Sequence, residues 1–318
     1  MTGVRGQIEA MITRLLTVLF AVGVLSGCGR DVTPPAFDGE RAYTYLEAQV
    51  AFGPRVPGSE AWAECRSYLY EHFTGLGLEL DSQAFTFTDP YSGVDTPLVN
   101  IIVRYRGDPS DDKAVLLLAH WDSRPRTDYH SDSTKRETEP IDGANDGASG
   151  VAVLMELANL LSDVPPRSNV DLVMADGEDW GKVGHPEDYC IGSHHFAQQG
   201  IRGKYHFGIV IDMVGEKNQH FFREEISERF SKPVNDMVWG TAKDLGITTF
   251  RDTVLHRVTD DHLPLNIGGV PTVDVIDFNY PYWHTEFDTP DKCSAESLAN
   301  VGRVLAEIVY KPSLWPPE

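Results

Sequence analysis

Several carboxylates and imidazoles of this chain stand where their desolvation costs most. In DLVMADGEDWG, residues 171–181, an apolar run is followed within four positions by Asp176, Glu178 and Asp179, and then by Trp180. Crowded carboxylates repel one another, and burial beside an aromatic adds a desolvation cost, so a fold that keeps them there must supply compensating charge. The pattern recurs along the chain. VLLLA runs into His120, Trp121 and Asp122; GANDG, residues 143–147, sets Asp146 before a helical pattern; GIVI ends at Asp212. Asp260-Asp261-His262 and Trp283-His284-Thr285 follow. Singly, each has an ordinary structural reading, such as Asp146 as a helix N-cap. Together, carboxylates and imidazoles converging on one point form the ligand set of zinc, commonly three protein ligands with an open fourth position in catalytic sites. A bound cation also reverses the local repulsion. Asp176 is expected only to buttress the turn.

Strand and helix patterns that would position these residues alternate. Helical spacing of apolar residues covers 41–52 and 60–76, with a turn-rich FGPRVPGS between them. Strand patterns cover 83–87, 99–105, 114–119, 169–175, 207–211 and 272–276; helical patterns cover 147–161, 193–199, 233–245 and 295–309. Several strands are continuous apolar runs, as expected when both sheet faces are covered. The alternation predicts an α/β fold: a three-layer α/β/α sandwich on a mostly parallel, mixed central sheet, with ligands collecting at the carboxyl ends of its strands. Residues 39–318 read as a single catalytic domain, and the polar stretch 124–140 as a long surface loop.

The formal net charge of −21 argues against nucleic acid or an anionic membrane surface as a partner. It suits cationic ligands such as a free amino terminus, or is simply a solvated acidic surface. Arg14 precedes an apolar run at 15–25, too short to span a membrane and of signal-peptide length. The run ends in Leu25-Ser26-Gly27-Cys28, which resembles a bacterial lipobox, so residues 1–28 read as a lipoprotein signal with Cys28 lipidated. Either Met1 or Met11 could be the start. Residues 29–38 read as a flexible tether, and the expected location is the cell envelope, facing the periplasm or otherwise outside the cytoplasm, with the membrane engaged only through the lipid anchor. Cys65, Cys190 and Cys293 lack CxxC spacing, and their pairing is left open.

HWDSRP, GANDGASG, the strand leading to GEDWG, IDMVG, TDDHLP and WHTEFDTPDK, in this order, resemble the zinc-dependent exopeptidase clan of the bacterial aminopeptidases. More closely they resemble its glutaminyl-peptide cyclotransferase branch, from residue 52 to the final helix. The resemblance implies the zinc exopeptidase-like (phosphorylase/hydrolase-like) form of the sandwich. It implies one zinc ion on Asp146, Asp179 and His284, Glu178 as general acid/base, and Asp212 and Asp260 as a hydrogen-bonded relay beside it. Trp180 and Trp283 match pocket walls. Animal cyclases usually carry Glu where Asp179 stands, and the shorter arm still ligates zinc. The implied reaction converts the N-terminal glutamine of a peptide or protein to pyroglutamate with release of ammonia, zinc polarising the γ-amide. Trp180, Asp260 and Trp283 favour this branch over the peptidases. The alternative is a di-zinc aminopeptidase with His120 and Asp212 on the second ion and Asp146 bridging. A binding lipoprotein of the same fold without catalysis is a third reading. In either enzyme Asp122 would orient a ligand from behind.

Overall fold

The computed structural model describes residues 31–317; the signal segment and Cys28 lie outside them. Helices α1 (Gly39–Ala51) and α2 (Glu60–Gly75) start where Asp38 and Ser59 accept backbone N–H groups of the first turn. Strands β1 (Glu79–Thr88) and β2 (Asp95–Tyr105) form an antiparallel pair, and β3 (Ala114–His120) follows. Helix α3 (Ala148–Asp163) is buried on every side from Ala148 to Leu161, which makes it a core helix with no solvent face. Strand β4 (Val170–Ala175), helix α4 (Ile191–Gln198), strand β5 (Tyr205–Asp212) and strand β6 (Phe221–Glu224) come next. The chain continues through α5 (Glu225–Phe230), α6 (Lys232–Asp244), β7 (Phe250–His256), α7 (His262–Ile267), β8 (Thr272–Ile276) and α8 (Ala295–Tyr310).

The central sheet has the order β1-β2-β4-β3-β5-β8. Strands β4, β3, β5 and β8 are parallel, and β2 joins β4 antiparallel. Every residue of β3, β4 and β8 is buried, because helices cover both faces. The main core runs from Phe37 to Tyr310 across α1, α2, α3, α8 and one sheet face, and a second cluster of Leu116, Val173, Phe196 and Leu265 fills the other face. The architecture is thus the three-layer sandwich on a mixed, largely parallel sheet that the alternation predicts.

Three features differ from the sequence reading. Strands β6 and β7 pair in a small separate sheet with register shifts; β6 is only four residues long and β7 is mostly exposed, so neither presents a long apolar run in the sequence. Residues 31–38 are docked and do not hang free: Val32 N donates to the carbonyl of Tyr310, Asp31 bonds Ser313, and Phe37 is buried against Gly302. The apolar Phe37 and the capping Asp38 outweigh the two prolines that suggested a tether. The stretch from residue 124 is also no surface loop at its start. Arg124, Arg126, Thr127 and His130 are buried: Arg124 pairs with Asp128 and Asp179, Arg126 donates to the carbonyls of Trp180 and Gly181, and Thr127 donates to that of Glu139; Tyr129 is exposed, and continuous exposure begins at Ser131.

Candidate active site

The parallel strands deliver their last residues to one edge. β3 ends in His120 and leads to Asp122, β4 leads through Gly177 to Glu178 and Asp179, and β5 ends in Asp212. Gly177 has φ +71°, the left-handed turn that swings Glu178 across the strand end. Gly147 has φ +95°, and a Cβ there would lie 2.9 Å from His120 Cε1, so only glycine lets the Asp146 turn pack on His120. Asp288 fixes that turn by accepting from Asn145 N at 2.8 Å and Asp146 N at 3.1 Å. His284 itself sits at φ +54°, a costly position for a non-glycine residue. Asp128, bonded to its Nδ1, and Trp283, stacked at 3.8 Å, hold it there.

Asp146, Asp179 and His284 form one buried cluster whose ligating atoms all lie within 4.8 Å of one another. His284 Nε2 is 3.3 Å from Asp179 Oδ1 and 3.8 Å from Asp146 Oδ2. Asp146 Oδ2 and Asp179 Oδ2 are buried with no hydrogen-bond partner. Two orphaned carboxylate oxygens and an imidazole nitrogen around one gap fit a metal ion, and this donor set suits zinc with a position left open. Burial, reinforced by the charge of Asp179, pushes the Asp146 carboxyl up to about 6. Burial acts the same way on Asp179, but Arg124 and His284 overcome it and hold that carboxyl below its ordinary value.

Behind the cluster, Arg124 donates Nη1 to Asp179 Oδ1 at 2.7 Å and to the Asp179 carbonyl at 3.0 Å, and Nε to Asp128 Oδ2 at 2.5 Å. Asp128 Oδ2 lies 3.0 Å from His284 Nδ1. Arg124 and Asp128 therefore hold two of the three candidate ligands, and sequence reasoning missed both. Arg124 lies inside HWDSRP, so the motif carried a signal; Asp128 had none apart from its polar surroundings. Asp122 accepts from Glu178 N at 3.1 Å and Asp179 N at 3.3 Å and reaches His120 Nδ1 at 3.5 Å, which orients both turns. Asp176 accepts from Val99 N and Trp62 Nε1 and serves as a buttress.

His120 Nε2 is 3.2 Å from Asp146 Oδ1 and 3.1 Å from Asp212 Oδ1. Burial opposes its protonation, but its bonds to Asp122, Asp146 and Asp212 hold the imidazole well above its ordinary value. Asp212 thus faces His120, whereas Asp260 lies beside Glu178, with Cys190 as third neighbour. Burial and then the Asp260 charge push the Glu178 carboxyl well up. The Cys190 thiol donates to Glu178 Oε1 at 3.4 Å, and Cys65, Cys190 and Cys293 are all free and buried.

A cleft opens over these groups between Tyr189, Val258, Phe278 and Trp283. Trp283 is therefore a wall, as expected. Trp180 is not among the residues that line it. Its indole N–H donates to Asp89 Oδ1 at 3.1 Å and its ring meets Phe87, which turns it toward the β1–β2 hairpin. Tyr189 takes the wall position instead, its hydroxyl accepting from Arg124 Nη2 at 3.1 Å. The choice of cyclase over peptidase thus loses one of its three sequence supports.

A three-layer sandwich that gathers two Asp and a His around a gap at its strand ends, with a Glu beside them, defines a metal-dependent enzyme of exopeptidase type. The chain belongs to peptidase family M28, whose model matches residues 100–309. Among solved structures, Bacteroides thetaiotaomicron glutaminyl cyclase bound to N-acetylhistamine is 36% identical, covers 88% of this chain and 99% of its own, and superposes with a TM-score of 0.83. A structure described as a leucine aminopeptidase precursor from the same organism matches with the same identity, coverage and TM-score. The glutaminyl-peptide cyclotransferase-like protein of Bos taurus is 26% identical over 79% of this chain and 70% of its own length. The fold is that of the bacterial glutaminyl cyclases, and the chain is an enzyme.

Proposed function

We propose that the enzyme is a glutaminyl-peptide cyclotransferase that closes the N-terminal glutamine of peptides or proteins to pyroglutamate and releases ammonia, with one zinc ion on Asp146, Asp179 and His284. The observation that carries the metal site is the cluster of Asp146, Asp179 and His284, whose ligating atoms all lie within 4.8 Å of one another; His120, Asp146 and Asp212 form a second buried cluster, the one a two-ion aminopeptidase would load, so zinc content per chain, one ion for the cyclotransferase, is measured alongside activity. The likeness to solved glutaminyl cyclases supports the reaction. Zinc, when bound, supplies Lewis-acid polarisation of the γ-carbonyl. Glu178 accepts a proton from the substrate's α-amine as that nitrogen bonds to the carbonyl carbon of the side-chain amide. It returns the proton to the amide nitrogen as the C–N bond breaks, so one ammonia leaves and no water is consumed. A raised Glu178 carboxyl suits both halves of this transfer. Asp260 stands beside it and keeps the protonated form accessible. Tyr189, Phe278 and Trp283 hold the glutamine side chain folded toward its own amine, which turns flexibility into proximity.

The test is one paired assay on a Gln-initiated and an Ala-initiated peptide. Ammonia from the first with no amino acid released from either is the expected result. Release of free amino acids establishes the aminopeptidase instead.

A further inference from the structure

The cleft over Glu178 continues beyond its mouth. Tyr189, Val258, Phe278 and Trp283 wall it, and the same four residues also line a second cavity of about 250 Å³. The other residues around that cavity, Tyr129, Val183 and Pro186 among them, are exposed, so it lies on the solvent side of the cleft. Single exposed apolar side chains are ordinary on a protein surface. Here Val183, 61% exposed, and Tyr129, 52% exposed, border one hollow together with the half-buried Phe278 and Trp283, and a grouped apolar surface of this kind marks a binding site. Arg257 is the one charged residue of the lining. Hydrogen bonds fix the walls. Tyr129 N donates to the carbonyl of His284 at 3.1 Å, and the Tyr129 ring lies 5.9 Å from that of Trp283. Beside Val183, Lys182 N donates to the Tyr91 hydroxyl at 3.0 Å, and that hydroxyl donates to Asp188 Oδ2 at 2.6 Å. Asp188 N donates in turn to the carbonyl of His185 at 3.1 Å. Walls held before a ligand arrives spare it the cost of ordering them.

In the reaction assigned above, the α-amine and the side-chain amide of the terminal glutamine both face Glu178 and the metal cluster, so the rest of the peptide must leave through the mouth. The next Cα lies about 3.8 Å further along the chain, at the walls the two cavities share. We propose that the outer cavity receives the side chain of the substrate's second residue and selects a large apolar one, leucine or phenylalanine. The occupant follows from continuity with the cleft: in a chain held by its amino end, the second residue is the first to reach this hollow. A leucine or phenylalanine there covers Val183 and Tyr129 and leaves water itself, which corresponds to roughly 10-fold in kcat/KM over glycine. A lysine brings a second positive charge beside Arg257. An aspartate gives up the apolar burial for an ion pair with Arg257, whose side chain is 67% exposed, and such pairs contribute little. The inference rests on the cleft holding the terminal residue of the substrate, which cyclisation and aminopeptidase cleavage both require.

The experiment uses the zinc-loaded full chain and Gln-Xaa-Ala-Ala peptides with phenylalanine, leucine, glycine, lysine or aspartate as second residue. Ammonia and free amino acids are recorded separately, so a failure of the assigned reaction is seen apart from a failure of the preference. Phenylalanine and leucine are expected to exceed glycine by about 10-fold in kcat/KM, and to exceed lysine and aspartate. Calorimetric binding of the same peptides to zinc-loaded Glu178→Gln protein is expected in the same order, which reads the preference without turnover. Val183→Asp places a charge at an exposed wall position outside the catalytic groups. It is expected to bring phenylalanine within about two-fold of glycine and to leave the glycine peptide unchanged. Equal values for phenylalanine and glycine in the parent, a preference for aspartate, or a folded Val183→Asp protein that keeps the parent's preference each overturn the proposal.

Discussion

Replacing Asp128 by Asn tests whether the residues behind the metal cluster set its affinity. A single oxygen, Asp128 Oδ2, meets both His284 Nδ1 at 3.0 Å and Arg124 Nε at 2.5 Å. Burial opposes ionisation of this carboxyl, but those two bonds hold it well below its ordinary value, so it is an anion at neutral pH. An Asn can place its amide oxygen at the same point and keep both contacts, so what disappears is the charge. A hydrogen bond to an ionised group is worth about 1 kcal/mol more than a neutral one, so two such bonds lose about 2 kcal/mol. His284 becomes a weaker base toward a metal, and Arg124 keeps Asp179 as its remaining carboxylate partner, which draws electron density from the second ligand. Two kcal/mol corresponds to roughly 30-fold in zinc affinity, within the ~10–100-fold range for outer-shell partners. The assay is zinc competition against a chromophoric chelator at fixed pH, with circular dichroism to establish that the variant is folded. A folded Asp128→Asn protein that holds zinc within two-fold of the parent would refute the reasoning.

Three further outcomes are expected. Glu178→Gln should keep its zinc content and lose about 10²–10⁴ in turnover, and near-normal turnover would remove Glu178 from proton transfer. Trp180→Phe loses one buried hydrogen bond to Asp89, at about 1 kcal/mol of stability, and should leave KM unchanged, whereas Tyr189→Ala should raise KM several-fold; the reverse pattern restores Trp180 to the pocket. Burial, followed by the charge of Asp277, pushes Glu216 up from 4.5 to about 7. The folded state therefore binds that proton more tightly than the unfolded one. The stability it confers is complete below about pH 4.5 and is lost as pH rises through about 7. Glu216→Gln should thus flatten the decline in Tm between about pH 4.5 and 7; a decline as steep as the parent's would show that the pair is not its source.

The amino-acid sequence alone settled the layers and the reactive groups. Continuous apolar runs such as LLLA and DLVMA require cover on both faces, and the helical patterns between them supply it, so the sandwich follows from burial alone. Strand ends sit at one edge of a parallel sheet, so His120, Glu178, Asp179 and Asp212 share that edge, while the ligand set Asp146, Asp179 and His284 was legible only through the family resemblance. Tertiary structure decided which neighbours each of them has. Trp180 and Tyr189 are both aromatics a few residues beyond Glu178, and nothing local distinguishes them. The Asp89 carboxylate, 91 positions away, claims the first, and Arg124 claims the second. The polar stretch from Arg124 looks like a solvated loop because its composition is that of one. It is buried because Asp179, 55 positions on, offers the countercharge, and the His284 ring meets Asp128. Apolar periodicity is written into consecutive residues, whereas the partner of a buried charge is fixed only when distant segments meet.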